Sequence, residues 1–273
     1  MTFDKEYLNI GYLDTLSYKD TFVLNLDPRI KILVSFVFVL FVVSFPKHEL
    51  SGLIPFFIYP VFLLTAGDIP LKAIAKKVLV ISPFAVFIGI FNPLFDTNVI
   101  VIPFGIPITS GWLSFFSIMV KFILTISTAL LLIAVTSFPG ICKALDSLRF
   151  PRIFVIQLLF VYRYLFVLLE EALRLIRARE ARSFGRKGKE IKTFIRLISI
   201  LLVRSVERAE RIYQAMLSRG FRGEIKVLKS HNLRLQDLLF GIFSVSIFYV
   251  FRNYDIVSIL GETTRRLIKG EFF

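Results

Sequence analysis

The run IKILVSFVFVLFVVSF at residues 30–45 decides the fold class, because one lysine is its only charged residue. Four further runs are similarly apolar, and they lie at residues 50–66, 78–95, 112–138 and 235–251. About 20 apolar residues in a helix cross the hydrocarbon core of a bilayer. Backbone in lipid must satisfy its own hydrogen bonds, which favours helices. The sequence therefore predicts an all-α polytopic membrane protein with about five transmembrane helices.

The overall composition supports two separate environments for one chain. Mean hydropathy is +0.73 and 31 residues are Phe, yet 34 Lys and Arg face only 20 Asp and Glu, for a net charge of +14. A single soluble globule rarely combines these features, whereas a membrane protein can place its basic residues in the cytoplasm. The alternative is that some runs are buried helices of a large soluble core. Recurrence of the pattern in five runs disfavours that alternative.

Basic residues predict the orientation. The N-terminal arm and the start of the first run carry Lys5, Lys19, Arg29 and Lys31, residues 96–111 contain no Lys or Arg, and the segment after residue 138 is strongly basic. The loop predicted after the second run holds Lys72, Lys76 and Lys77. By the positive-inside rule the arm, this loop and the segment after residue 138 are cytoplasmic. Five spans then place the C-terminus outside, although residues 252–273 carry four basic residues.

Residues 142–234 hold 21 of the 34 basic residues and 8 of the 20 acidic ones. The first predicted helix here joins an apolar part, 153–169, to a basic part, 170–183. Its apolar stripe consists of Phe166, Leu169, Leu173 and Ile176. These spacings of three and four are typical of an amphipathic helix, and Glu170 is placed to pair with Arg174 on the outer face.

A second helix of the same design is predicted over residues 191–220. Its stripe consists of Ile195, Ile198, Leu202, Ala209, Tyr213 and Met216. Glu207 is placed to pair with Arg211 four residues later. Gly220 suits the position just beyond a helix C-terminus, where a left-handed backbone is common.

Each of the two helices ends in an arginine between small residues. The first triplet is Ala181, Arg182 and Ser183, and the second is Ser218, Arg219 and Gly220. Small neighbours let a partner close over the guanidinium, whose fork suits carboxylates and carbonyl groups. The alternative is two ordinary C-terminal arginines on a solvated face. Repetition of the triplet at matching ends of two matching helices favours recognition of a partner.

These stretches resemble a known family. LDPRIK at 26–31, YRY at 162–164 and AREARS at 178–183 are similar to the transmembrane T component of energy-coupling factor (ECF) transporters of the cobalt/nickel type, CbiQ. RSVERAER at 204–211 and AMLSRGFRG at 215–223 resemble the same family. The resemblance covers most of the chain, and the long matches in the basic segment are the specific ones.

The resemblance implies a role for each part of the chain. It implies that two long cytoplasmic coupling helices dock two ABC ATPase subunits through Arg182 and Arg219, flanked by Ala181, Ser183, Ser218 and Gly220. Ser183 stands where many members have Gly. The apolar first parts of both helices would pack against a membrane-embedded substrate-binding S component. The implied function is import of cobalt or nickel across the inner (plasma) membrane.

The implied division of the chain has four parts. Residues 1–29 form a cytoplasmic arm, 30–138 four spans, 139–234 the coupling region, and 235–273 the final span and tail.

The sequence itself offers no catalytic site. It has no G-x-x-x-x-G-K-[ST] phosphate loop, since the Gly185 to Glu190 stretch has the wrong spacing. ATP and Mg²⁺ are therefore expected on partner ATPases. His48, His231 and Cys142 are far apart in sequence, so no metal site and no bound cofactor are expected.

Two other functions stay open at this point. One is a vitamin-type T component shared among several S components, with the same fold and triplets. The other is a non-transport membrane anchor whose basic helices bind anionic lipid or RNA. The membrane-anchor hypothesis does not account for the paired triplets. The chain is therefore expected to contact the lipid bilayer and to bind no nucleic acid.

Overall fold

The computed structural model describes residues 21–46, 49–95, 99–101, 108–182, 191–221 and 233–254. Helices make up most of this part of the chain. They are α1 (Phe22–Asn25), α2 (Pro28–Val43), a 3₁₀ helix (Ser51–Phe57), α3 (Ile58–Ala66), α4 (Leu71–Gly89), α5 (Phe91–Phe95), α6 (Ser110–Thr136), α7 (Phe138–Ser147), α8 (Arg152–Arg182), α9 (Ile191–Ser218) and α10 (Leu235–Asn253). Two short strands, β1 (Val99–Val101) and β2 (Ile108–Thr109), pair antiparallel between α5 and α6. The prediction of an all-α polytopic membrane protein is confirmed.

Each of the five apolar runs contains a helix. Four described helices are long and apolar enough to cross a membrane, and they lie at Leu71–Pro93, Ser110–Thr136, Arg152–Arg182 and Leu235–Asn253. The helices of the first two runs are shorter. In the second run a 3₁₀ helix that contains Pro55 precedes α3. Proline cannot donate a backbone hydrogen bond, which accounts for this break in regular α-helix.

One boundary prediction was wrong. Lys72, Lys76 and Lys77 do not lie in a loop but in the first two turns of α4, which begins at Leu71 directly after Pro70. Lysine is a good helix former, and its long side chain can carry its charge toward water. The helix therefore begins seven residues before the predicted apolar run.

The chain divides into two compact units. Among the described residues, one unit comprises α1 to α6, the strand pair and α10, and is called the span unit below. The other comprises α7, α8 and α9 with residues up to Phe221, and is called the coupling unit after the role that the resemblance implies for residues 139–234. Whether the coupling unit is cytoplasmic, as predicted for residues 139–234, remains a prediction.

The core of the span unit surrounds α2. Val34 and Phe38 are buried on one face of this helix. The rings of Phe56, Tyr59 and Phe248 pack on the ring of Phe38, with centroids 4.8 to 5.8 Å apart. Such pairs add about 0.5–1.5 kcal/mol each beyond the burial of their area. This aromatic cluster joins the 3₁₀ helix, α3 and α10 to α2.

Contacts at both ends show that α2 and α10 run parallel. At their starts, the amide of Asp27 donates to Oδ1 of Asp237 over 3.0 Å. At their ends, Nη2 of Arg252 donates to the carbonyl oxygen of Ser44 over 3.2 Å. The first and last of the predicted spans therefore point in the same direction.

Helix α6 runs antiparallel to α2, and two lysines bind carbonyl groups near the two ends of α2. Nζ of Lys31 donates to the carbonyl oxygens of Leu24 and Val135, over 3.0 and 3.2 Å. Nζ of Lys121 donates to the carbonyl oxygen of Phe45 over 2.6 Å. The last carbonyls of a helix have no partner within that helix. These two lysines of the apolar runs thus satisfy carbonyl groups at helix ends.

The motif LDPRIK at residues 26–31 has a structural explanation in the same region. Asp27 is the N-cap of α2, and its Oδ1 accepts from the amide of Arg29 over 2.9 Å, with Pro28 at the first helical position. Asp237 accepts the amide of Asp27 with one oxygen and the amide of Arg234 with the other. The motif therefore begins the first long helix and attaches it to the last one.

Candidate functional site

The first predicted docking triplet lies at the end of α8. Ala181 and Arg182 are the last two residues of this helix and both are exposed. Ser183 lies outside the described residues. An arginine in the last turn interacts favourably with the partial negative charge of the helix C-terminus. Arg182 is thus presented at a helix end, as the sequence predicted.

The second triplet forms a defined turn. Ser218 ends α9, and the amides of Gly220 and Phe221 donate to the carbonyls of Leu217 and Met216 over 2.9 and 3.0 Å. This pair of bonds is the Schellman motif, in which a left-handed glycine ends the helix. Gly220 has φ +78°, so the prediction that it follows the helix end is confirmed. The turn places Arg219 on the surface at the end of the helix.

Both triplet arginines are exposed and available to a partner. Within the part of the chain that the structure describes, no ion pair or side-chain hydrogen bond engages Arg182 or Arg219. By contrast, Nη2 of Arg174 lies 2.6 Å from Oε1 of Glu170, and Nη1 of Arg211 lies 3.9 Å from Oε2 of Glu207. Both predicted i,i+4 pairs are confirmed. The triplet arginines therefore differ from the arginines of the outer helix faces.

A charge cluster that the sequence analysis missed joins α8 to α9. Oε1 of Glu171 accepts from Nη1 of Arg204 over 3.2 Å, and its Oε2 accepts from Nη2 of Arg208 over 2.7 Å. The two arginines lie one helical turn apart, so one carboxylate joins two successive turns of α9. The partners are more than 30 residues apart in sequence. Only the paired spacing of Arg204 and Arg208 could have signalled this contact.

The stripe predicted for α8 faces inward, whereas the stripe predicted for α9 is exposed except at Met216. Leu173 is buried, and the other three residues of the α8 stripe are half-buried. In α9, Ile195, Ile198, Leu202 and Tyr213 are exposed. The half-buried face of α9 instead consists of Thr193, Leu197, Leu201, Ser205, Arg208, Ile212 and Met216. The bonds of Glu171 to Arg204 and Arg208 turn this second face toward α8.

An open apolar groove of about 690 Å³ lies between the first half of α8 and the second half of α9. Phe160 and Tyr164 line it from α8, and Ile212 and Met216 line it from α9, with Arg208 at its edge. Because the start of one helix lies beside the end of the other, the two helices run in broadly opposite directions. Only 6% of the most apolar part of α8 is buried within the chain. The groove is thus an apolar surface that the chain itself leaves open.

The structure offers no arrangement for metal binding. Among the described residues, no group of three or more His, Cys, Asp or Glu side chains is placed to hold an ion. Cys142 is fully buried in α7, and burial raises the pKa of its thiol. His48 and His231 lie outside the described residues. That the chain binds no metal and no cofactor stays a prediction.

Comparison with known proteins identifies the family. The family model of the cobalt transport protein CbiQ matches residues 19–230, most of the chain. The chain belongs to the CbiQ family. An uncharacterized protein of Methanocaldococcus jannaschii is 31% identical over 233 residues, covering 82% of this chain and 79% of that protein.

Two named relatives describe the family's role. The energy-coupling factor transporter transmembrane protein EcfT of Ruminiclostridium cellulolyticum is 25% identical over 245 residues, 85% of this chain and 90% of its own length. The cobalt transport protein CbiQ of Rhodobacter capsulatus is 30% identical over 83 residues, 30% of this chain and 34% of its own length. This CbiQ-family chain is therefore a multi-pass transmembrane component of an ECF-type transporter, a non-catalytic subunit.

Proposed function

We propose that this chain is the coupling subunit of an ECF-type importer of a divalent metal ion, cobalt or nickel. It transmits motion from two ABC ATPase subunits, which carry ATP and Mg²⁺, to a membrane-embedded S component that holds the ion. The observation that carries the proposal is the pair of unengaged, exposed arginines at the ends of α8 and α9. The match of the cobalt transport family supports the class of substrate.

The two arginines are the proposed docking points. Ala181, Arg182 and Ser183 engage one ATPase, and Ser218, Arg219 and Gly220 engage the other. A small residue on each side lets the ATPase surface approach the guanidinium closely. The resulting hydrogen bonds between charged groups in a closed contact are strong and directional. Two such ends in one chain account for two ATPase subunits.

The groove between α8 and α9 is the proposed contact with the S component. Its lining is largely apolar, and the surrounding helix faces carry exposed large side chains such as Phe154, Val161 and Ile195. A large exposed apolar surface of this kind marks a protein or membrane contact. A hydrophobic S component in the bilayer supplies matching chemistry.

The decisive experiment is co-purification of the ATPases with arginine variants. Arg182→Ala and Arg219→Ala should each weaken ATPase binding by about 2–5 kcal/mol, because the acceptors of the partner are left unpaired. The double variant should abolish uptake of Co²⁺ and Ni²⁺. Lysine should substitute poorly, since it lacks the planar fork.

The matched controls are Arg174→Ala and Arg211→Ala. Each removes an exposed i,i+4 pair, and such pairs contribute little in water, so ATPase recovery should stay near that of the wild type. Membrane abundance of each variant is measured alongside. If the triplet variants retain the ATPases as well as these controls do, docking through the triplets is refuted.

The parallel course of α2 and α10 supports a definite topology. If the N-terminal arm is cytoplasmic, as the positive-inside rule predicts, then α10 begins in the cytoplasm and residue 254 lies outside. The test replaces Cys142 by Ala and introduces one cysteine, either Tyr254→Cys or Ala178→Cys. In intact cells a membrane-impermeant maleimide should label the first variant and not the second. Labelling of the Ala178→Cys variant alone would reverse the proposed orientation.

A second candidate is a T component shared by several S components. The likeness to an EcfT protein over 85% of this chain favours this second candidate, since the chain matches EcfT-type relatives in addition to CbiQ-type ones. Affinity purification of the chain from its native membrane separates the two candidates. A metal importer yields one S component, whereas a shared T component yields several that compete for it.

A further inference from the structure

The charge cluster of Glu171, Arg204 and Arg208 occupies the contact between α8 and α9. The side chain of Glu171 is 14% exposed, whereas that of its neighbour Glu170 is 55% exposed. Each carboxylate oxygen of Glu171 accepts from a different arginine. One residue of α8 is therefore held by two points of α9, which restricts both sliding and rotation of one helix on the other.

Few other contacts can hold this crossing. No residue of α9 is buried, and in α8 only Val155 and Leu173 are. Leu173 lies two residues after Glu171, so one of the two buried residues is close to the cluster along the helix. Apolar packing alone fixes the angle between two helices when side chains interdigitate along the contact. Here few residues are fully buried, and the ionic cluster supplies two of the contacts that fix the crossing.

The cluster is placed symmetrically with respect to the two triplets. Eleven residues separate Glu171 from Arg182, and eleven separate Arg208 from Arg219. At 1.5 Å per residue, each triplet lies about 16 Å along its helix from the cluster. Arg208 also borders the apolar groove. Because the two helices run in broadly opposite directions, the cluster lies between the two triplets, with two arms of equal length, and the groove lies on the side of the arm that ends at Arg219.

We propose that Glu171 is a positioning residue, the pivot about which α8 and α9 turn relative to each other when the ATPases move their ends. With Glu171 bound to both arginines, displacement of the ends changes the groove. Without it, each helix end moves independently and the groove receives only part of the displacement. This inference rests on the proposed coupling function, and it names the residue that makes the coupling efficient.

The test compares Glu171→Gln with Glu170→Gln in the assembled complex reconstituted in liposomes. The control changes the adjacent residue, which is exposed and forms an ion pair with Arg174 of α8. Uptake of Co²⁺ and Ni²⁺ is measured against ATP hydrolysed. Glu171→Gln should still bind both ATPases and hydrolyse ATP, while uptake per ATP falls about fivefold or more, the size of typical coupling between sites. Glu170→Gln should keep the wild-type ratio.

A second readout does not depend on transport. With Cys142 replaced by Ala, spin labels are attached at Ala178→Cys in α8 and Gln214→Cys in α9, and their distance distribution is measured in nanodiscs. Glu171→Gln should broaden or shift this distribution, and Glu170→Gln should not. If the wild-type complex lacks ATPases or imports neither ion, the proposed function fails, but the distance measurement still decides whether Glu171 holds the crossing.

A charge exchange distinguishes positioning from folding. Should Glu171→Gln reduce membrane abundance, the variant Glu171→Arg with Arg208→Glu restores an attractive pair at the same place. It should recover abundance, the distance distribution and most of the uptake per ATP. Recovery of abundance without recovery of the uptake ratio overturns the proposal. So does a Glu171→Gln complex whose uptake ratio and distances equal those of the wild type.

Discussion

Each unit of this chain is held by a charged side chain that binds two partners, but the surroundings of the two side chains differ. Lys31 in the span unit is only 4% exposed, donates to two carbonyl groups, and has the carboxylates of Asp237 and Asp27 nearby. It lies beside a core of aromatic and branched side chains. Glu171 in the coupling unit binds two half-exposed arginines between helices that bury almost nothing.

The span unit is therefore stabilised by its own core, whereas α8 and α9 of the coupling unit expose surfaces suited to partners. The span unit has a core of its own, so its polar cluster is locked in place. The coupling unit leaves large apolar side chains and two arginines exposed, and a helix stabilised by so little packing gains order from what binds it. The proposed coupling motion fits the second kind of unit, since elements that move have few buried contacts.

The largest effect expected from a single substitution is in the span unit, at Lys31. Lys31→Met keeps roughly the length of the side chain, but it leaves the carbonyls of Leu24 and Val135 without this donor and removes a positive charge that interacts with Asp237 and Asp27. Breaking a buried ionic group in this way costs about 3–5 kcal/mol. The apparent melting temperature in detergent and the membrane abundance should both fall sharply.

The control for this substitution is Lys72→Met, which changes an exposed lysine of α4. It should leave the melting temperature close to that of the wild type. Equal stability of the two variants would mean that the span unit does not depend on its buried cluster, and the contrast between the units would lose its basis.

An intermediate effect is expected at Gly220. An added Cβ would meet no atom within 4 Å, so the cost of Gly220→Ala comes from its φ of +78°. A left-handed backbone costs about 1–2 kcal/mol for an ordinary residue. Hydrogen exchange of residues 216–221 should accelerate, and ATPase co-purification should weaken.

Gly220→Asn serves as the comparison, because asparagine tolerates the left-handed region. It should retain slow exchange at the end of α9. If the two variants show the same hydrogen exchange and the same ATPase co-purification, the left-handed turn at Gly220 does not position Arg219 for the ATPase.

The smallest effect is expected on the outer face of α9. Leu202 is 62% exposed, so Leu202→Gln should change the stability of the isolated chain by no more than about 0.5 kcal/mol. Binding of the S component should nevertheless weaken if this face belongs to the proposed contact. A large loss of stability in the isolated chain would show that α9 does pack its predicted stripe, contrary to the structure.

Local chemistry in the sequence was enough to determine the helices, the membrane character and the triplets. Apolar runs define helices because lipid leaves the backbone no other way to satisfy its hydrogen bonds. The i,i+4 pairs and the glycine that ends α9 follow from helix geometry alone. The specific stretches in residues 162–223 also led to the family that the comparisons show.

Only the tertiary structure decided which face of α9 turns inward, and why lysines occur in apolar runs. The apolar residues of α9 cover more than one face, so hydrophobic periodicity could not choose between them. The choice is made by bonds of Arg204 and Arg208 to Glu171, which lies more than 30 residues away. Likewise, Lys31 and Lys121 reach carbonyls 104 and 76 residues distant in the chain. Such partners meet only after the helices have packed, so no local pattern reveals them.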